Sequence, residues 1–380
     1  MIGYVHSSGR GGIRALLQTF LVISVFMSSF DREAFILKCG ELRKSAKFID
    51  VTLKFADHLT SQNLPVIFDV RHLSLLLGSD AVTLATRVED AYKPFWIRKK
   101  GGGKRLILAP ECELRRVQRW INETILKVIP LHECVHGFRN GRSIVSNARP
   151  HSSHEVVLNV DLKSFFHSVY QLRVYGIFRS LGYGERVSRI LARLTTVRLP
   201  PKMATEMKAV PFFKSGMAVL PQGAPTSPAI ANIAARGLDS RFSGYALKHG
   251  LVYSRYADDI TFSGAKEKMP SLSFLVQVVK EEGFWINFAK YRRLGRQHRQ
   301  VVTGLVVNDG VRVARTIKRE IWTHLYFARK YGPLNHLAQR RIKKGAFRDW
   351  LLGNILFIKS VEPEVAQRMR AQFDAIDWSF

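Results

Sequence analysis

Three aspartates could do chemistry together. Asp161 ends the compact apolar run Val156-Val157-Leu158-Asn159-Val160, and Asp258-Asp259 lie between two short β-rich halves, Leu251-Val252-Tyr253 and Ile260-Thr261-Phe262. A carboxylate delivered by a buried strand is costly unless it is paired or binds a cation. Hard oxygen ligands of this kind suit Mg2+, which takes one or two protein carboxylates and completes its octahedron with water and substrate phosphates. Two such ions about 3.5–4 Å apart would activate an attacking hydroxyl and stabilise a leaving pyrophosphate. Taken singly, an aspartate at a strand end or in a turn is more often a cap or turn residue. Their joint appearance in a strongly basic chain favours the metal reading.

That basicity is the outlier of the composition. The 380 residues carry 59 Lys and Arg against 30 Asp and Glu, a formal charge of +29. A field of that sign selects a polyanion. Nucleic acid is favoured over a membrane surface, because the basic residues run the length of the chain and no single basic amphipathic helix concentrates them. With 46% hydrophobic and 23% charged residues the chain has ordinary globular usage, enough for two or three compact units. Cys39, Cys112 and Cys134 lack CxxC spacing, so neither a disulfide framework nor a cysteine zinc site is indicated.

Two motifs are decoys. His132-Glu133-Cys134-Val135-His136 matches the zinc-protease H-E-x-x-H pattern, which needs both histidines on one helical face, yet Pro130 and Gly137 leave little room for a helix. Near the start, Arg10 and Arg14 precede an apolar run from Ala15 to Phe26 with the outline of a signal peptide. It has no clear cleavage site and is short of the roughly 20 apolar residues of a membrane span. Residues 1–26 are read as a terminal helix, or as a leader or extension upstream of a start at Met27, and the protein is expected in the cytoplasm with no membrane partner.

The elements that must position the aspartates follow from periodicity. Glu33 to Leu59 reads as mixed helix. Tyr92 to Pro110 reads as a hairpin with a basic glycine tip, Lys99 to Arg105. Leu114, Val117, Ile121, Ile125 and Val128 trace a helix ending at Pro130. Val156 to Val160 reads as a buried strand, Leu172–Leu181 and Val187–Thr195 as helices, and Leu251–Phe262 as a tight hairpin with both carboxylates in its turn. In the last seventy residues three amphipathic helices (through Ile321, Leu351 and Met369) form a small helical subdomain. Its outer faces carry Lys318, Arg319, Arg329, Lys330, Arg340, Arg341, Lys343 and Lys344, a surface suited to a phosphate backbone.

These motifs resemble a known family. Tyr256-Ala257-Asp258-Asp259 resembles the YxDD box of reverse transcriptases, Val160-Asp161-Leu162-Lys163-Ser164-Phe165-Phe166 their first catalytic strand, and Pro221-Gln222-Gly223-Ala224-Pro225-Thr226-Ser227-Pro228 their PQG-x-x-x-SP box. The order is the family's own, and the resemblance runs from about Tyr92 to the C-terminus. It implies an α+β right-hand polymerase fold: fingers and a palm with an antiparallel sheet over 61–310, an α-helical, nucleic-acid-binding thumb over 311–380, and an N-terminal helical extension over 1–60. By motif it makes Asp161, Asp258 and Asp259 the ligands of two Mg2+, with the Leu162 carbonyl assisting. Phe166 would reject a ribose 2′-hydroxyl, Gln222 and Gly223 would line the nucleotide pocket, and Arg105 and Lys104 would hold the triphosphate. Lys290, in Gly283-Phe284-Trp285-Ile286-Asn287-Phe288-Ala289-Lys290, would donate a proton to pyrophosphate.

Two further boxes are similar to those of the bacterial retron branch, Asn147-Ala148-Arg149-Pro150-His151 to NAxxH and Val302-Thr303-Gly304 to VTG. The retron resemblance implies that Asn147, His151, Thr303 and Gly304 bind a cognate noncoding RNA (msr-msd). It also implies that this RNA is copied from dNTPs into branched msDNA, starting at a guanosine 2′-hydroxyl, with host RNase H and an effector encoded nearby as partners in antiphage defence. Two alternatives stand beside it: a nucleic-acid-binding scaffold that restrains an effector, and an abortive-infection polymerase making untemplated DNA.

Overall fold

The structure, a computed structural model, describes residues 30–98, 102, 104–199, 216–340 and 346–378. The reading of residues 1–26, most of the basic hairpin tip (Lys99 included) and Arg341, Lys343 and Lys344 lie outside them. The chain forms two compact units, Met1–Leu131 with Ser164–Arg236 and His132–Lys163 with Gly237–Phe380.

In the first unit, short helices begin where side chains satisfy their orphan amides. Asp31 accepts from the Ala34 amide, Ser45 from Phe48 and Asp69 from His72, opening helices Arg32–Glu41, Ala46–Thr60 and Val70–Leu77. The expected hairpin follows: β1 (Tyr92–Arg98) pairs antiparallel with β2 (Lys104–Pro110) from Tyr92↔Pro110 to Arg98↔Lys104. Next, helix Cys112–Ile121 widens into a π turn over Asn122–Leu126, which shifts the apolar register and leaves Val128 exposed rather than on the buried face. Helices Gln171–Ser180 and Glu185–Thr195 pack on each other, matching the expected positions. Buried Gln118 ties this unit together by donating to Tyr92 Oη at 2.7 Å and to the Leu194 carbonyl at 2.8 Å.

The second unit is built on a four-stranded antiparallel sheet. Its strands are β3 (Val156–Asp161), β4 (Val252–Tyr256), β5 (Asp259–Gly264) and β6 (Arg292–Gly295), in the order β4-β5-β3-β6. β3 is central and buried on both faces at Val156, Val157 and Leu158, which is why its sequence is a continuous apolar run rather than an alternating one. A two-residue ladder, β7 (Val301–Val302) and β8 (Leu305–Val306), follows.

The C-terminal helices Arg315–Tyr331, Phe347–Lys359 and Pro363–Asp374 bury Ile321, Leu325, Leu351, Ile355, Met369 and Phe373, as their periodicity predicts. Their apolar cluster also takes in Val157 of β3 together with Val302 and Leu305. Lys318, expected on a solvent face, instead gives its ammonium to Glu362 at 2.7 and 2.9 Å, and both side chains are largely buried. Glu362 also accepts from the Val313 amide at 2.8 Å, and a carboxylate this far buried is costly without a paired charge.

Candidate active site

Sheet register brings the three aspartates together. Asp161 at the end of β3 stands directly opposite Asp259 at the start of β5, and Tyr256 of β4 pairs with the same Asp259. Asp258 occupies the turn and Asp259 opens the strand, a small revision of the expectation that both lie in the turn. One ligand oxygen from each of Asp161, Asp258 and Asp259 lies within 4.8 Å of the others, the single such acidic group among the described residues. A donor set of three carboxylates fits a hard divalent cation. Asp259 is raised to about 6, by desolvation and by repulsion from Asp258 and Asp161. Asp259 is exposed at the mouth of the turn, and the like charges of Asp258 and Asp161 beside it oppose its ionisation. A divalent charge would relieve this repulsion.

Asp161 is 5% exposed and fully engaged. The Asn287 side-chain amide donates to its Oδ1 at 2.9 Å, and the Lys290 ammonium donates to its Oδ2 at 2.6 Å. Partial burial works against the Lys290 charge, but the hydrogen bond and charge of Asp161, backed by Asp258 and Asp259, raise Lys290 above its ordinary value. Backbone pairing puts these residues there. The Asn287 amide donates to the Asp161 carbonyl at 2.8 Å, Lys163 donates to the Trp285 carbonyl at 2.7 Å, and Leu162 bridges Ile286 between them. Leu162 also donates its own amide to the Asp258 carbonyl at 2.9 Å, so its backbone lies against the turn.

The turn is held from behind by residues the motif reading did not single out. Arg255, with no exposed surface, donates through Nε and Nη2 to both oxygens of Asp239 at 2.7 and 2.6 Å and through Nη1 to the Ala257 carbonyl at 2.9 Å. Tyr253 adds a hydrogen bond to Asp239 at 2.8 Å. Ala257 takes φ 57°, a left-handed conformation, and a Cβ on Gly137 would meet its nitrogen at 2.4 Å. Only glycine permits that approach. An arginine inside a β-rich stretch was the available signal for Arg255; Asn287 lies in the same box as Lys290 but had no role of its own there, and nothing in the sequence marks Gly137 as a neighbour of the turn.

The decoy motif is settled by the same region. His132–His136 is not helical: Val135 bridges Arg255, Glu133 pairs with Arg139 and Arg142, and buried His136 bonds Ser146 Oγ at 2.9 Å.

Four residues expected to bind RNA divide into two pairs. Thr303 and Gly304 form the two-residue turn between β7 and β8 with φ 46° and 84°, and Thr303 Oγ1 donates to the Ile144 carbonyl at 3.0 Å. Both line a cleft of about 780 Å3 with Asp161, Asp259, Lys290 and Arg299. Asn147 and His151 are buried at 1% and 0% exposure, and neither amide atom of the Asn147 side chain has a hydrogen-bond partner within the protein. His151 is wedged between Ser263 and Ser254, 2.7 Å from each hydroxyl. The remaining candidates belong to the first unit. Gln222 accepts from the Leu108 amide at 2.8 Å, and Gly223 (φ 121°) sits so close to Ile107 and Leu108 that a side chain would collide. The expected nucleotide residues Gln222 and Gly223 are thereby fastened to β2, the strand that bears exposed Lys104 and Arg105. Phe166 has its ring 5.8 Å from that of Phe165, which is buried.

Comparison with known proteins covers the segments that carry this site. A family profile described as "Reverse transcriptase (RNA-dependent DNA polymerase)" matches residues 97–305, which include all three aspartates. The chain is 36% identical over 305 residues to the retron Mx162 reverse transcriptase of Myxococcus xanthus, covering 75% of this chain and 61% of that protein. It is 38% identical over 284 residues to the retron Mx65 enzyme of the same organism, covering 73% and 63%. The chain therefore spans less than two thirds of these two relatives' length. Against the retron Ec86 reverse transcriptase of Escherichia coli it is 32% identical over 336 residues, covering 86% of this chain and 93% of the relative. With the acidic cluster in the register of an antiparallel sheet and these matches over most of its length, the chain belongs to the retron reverse transcriptases.

Proposed function

We propose that the chain is an RNA-directed DNA polymerase of the retron type. It copies a cognate noncoding RNA (msr-msd) into branched msDNA, beginning from a guanosine 2′-hydroxyl. The observation that carries this reading is the approach of Asp161, Asp258 and Asp259 to within 4.8 Å of one another, in a protein of charge +29. Two Mg2+ held by these carboxylates would supply the positive charge that favours attack by a hydroxyl and departure of pyrophosphate. The protein's own groups do the rest. Asp161 and Asp258 hold the ligand geometry with the Leu162 carbonyl beside them, and Asp259 adds charge to the same site. Lys290 gives a proton to the leaving pyrophosphate. Lys104 and Arg105 on β2 bind the triphosphate, Gln222 and Gly223 shape the nucleotide pocket, and the Phe166 ring excludes a ribose 2′-hydroxyl.

In this reading residues 61–310 act as fingers and palm and residues 311–380 as thumb. Thr303 and Gly304 present backbone to the RNA, while His151 acts from inside the sheet. The product works in the cytoplasm beside host RNase H and an effector of antiphage defence. No helix among the described residues is long and apolar enough to cross a membrane.

The test is to express the chain with its flanking DNA, extract nucleic acid and sequence short single-stranded DNA, with Asp258→Asn as control. A discrete RNA-linked DNA made only by the unaltered chain supports the reading. DNA that copies no local template points to untemplated synthesis. A biological effect that persists in Asp258→Asn, with no DNA made, favours a scaffold that restrains an effector.

A further inference from the structure

We infer that Asn287 is a positioning residue for Asp161, acting through the carboxylate orientation that metal binding requires. The inference rests on reading the acidic cluster as a metal site, and it concerns a residue to which neither that reading nor the motifs give a role. Asn287 grips Asp161 twice, backbone amide to carbonyl at 2.8 Å and side-chain amide to Oδ1 at 2.9 Å. The backbone anchor fixes where Asn287 sits beside Asp161, and the side-chain anchor then holds the carboxylate in one orientation. Each carboxylate oxygen thus has one protein donor, Asn287 on Oδ1 and Lys290 on Oδ2 at 2.6 Å, and the lone pairs left over are what a cation would meet. The same loop is tightened on itself, because the Lys290 amide donates to the Asn287 carbonyl at 3.0 Å.

The residue type matters. Asp161 is 5% exposed and needs its hydrogen bonds supplied by protein. Lys290 already sets one cation against this carboxylate, and a second at position 287 would compete further with a metal for its charge, whereas a neutral amide fixes the oxygen without adding to that competition. Partners of this kind around metal ligands are what orient them.

The experiment uses the full chain, with Mn2+ as the probe, read by electron paramagnetic resonance without nucleotide or RNA. Asn287→Leu keeps the size and removes the donor, and Asn287→Ser keeps a donor. Near-ultraviolet circular dichroism reports the folded fraction of each. Asn287→Leu is expected to weaken Mn2+ binding by about 10-fold to 100-fold at an unchanged folded fraction. Asn287→Ser is expected to recover part of that loss. The metal concentration for half-maximal DNA synthesis should rise in the same order. Mn2+ binding within twofold of the unaltered chain in Asn287→Leu overturns the inference, as does a loss that only tracks unfolding in both variants. An unaltered chain that binds Mn2+ but makes no DNA sinks the polymerase reading and leaves this one standing; one that binds no Mn2+ overturns both.

Discussion

At the scale of single residues, the site is a set of carboxylates held in place by a neutral amide, an ammonium and a guanidinium already paired elsewhere. Asp161 is engaged by one amide and one ammonium, while the turn that carries Asp258 is braced by a guanidinium whose charge is spent on Asp239. A buried arginine without its carboxylate is far more costly than the pair. Asp239→Asn is therefore expected to destabilise the second unit by about 3–5 kcal/mol, measured by urea unfolding. A change below about 1 kcal/mol would show that the pair is incidental, since exposed ion pairs are typically worth that little. The aspartates and Lys290 were legible in the sequence because their motif spacing is itself the signal. Asn287, Arg255 and Gly137 were not, since their importance lies in what they touch across strands.

At the scale of elements, the turn between β4 and β5 depends on a close approach. A Cβ at position 137 would lie 2.4 Å from the Ala257 nitrogen and 3.0 Å from the Tyr256 carbonyl carbon, and both are backbone atoms that cannot rotate away. Gly137→Ala should cost about 1–3 kcal/mol and shift Asp258 with the turn. DNA synthesis should then fall much further than the melting temperature does; a variant with full activity would mean the turn relaxes freely. A second element-level consequence concerns pH. Burial lowers His151 from its ordinary 6.5 to about 3, with the charges of His154 and His136 adding to the effect. The neutral ring is what the folded sheet accepts between Ser254 and Ser263. A lowered pKa in the folded state means the unfolded chain binds the proton first, so the contribution of His151 is complete above pH 6.5 and is lost as pH falls toward 3. The slope is up to about 1.4 kcal/mol per pH unit for this group. His151→Gln should be less stable at pH 7.5 yet lose less stability on going to pH 5, as denaturant titrations at the two pH values would show. Equal slopes would mean that His151 does not carry the effect.

At the scale of the whole molecule, the charge of +29 makes a claim that no single residue does. If RNA is held through many phosphate contacts, affinity should drop by about 10^3-fold or more between 50 and 200 mM salt, because each contact releases counterions. A flat response in a filter-binding titration would refute the electrostatic argument. Lys318 is a reminder that the total does not rank its members, for that ammonium is committed to Glu362 inside the protein. The sequence by itself determined the family resemblance and the candidate residues: three ordered boxes, a strand that delivers Asp161, a hairpin that delivers Asp258, and the amphipathic periods of the C-terminal helices. These are local properties, written in residue type and in spacings of two or between three and four. The tertiary structure alone decided that Asp161 faces Asp259, that the C-terminal helices share a core with the sheet, and that Asn147 and His151 are buried while Thr303 and Gly304 line the cleft. Each of those depends on register and packing between segments far apart in the chain, where a polar residue reads the same in sequence whether it will meet solvent or a serine beneath a sheet.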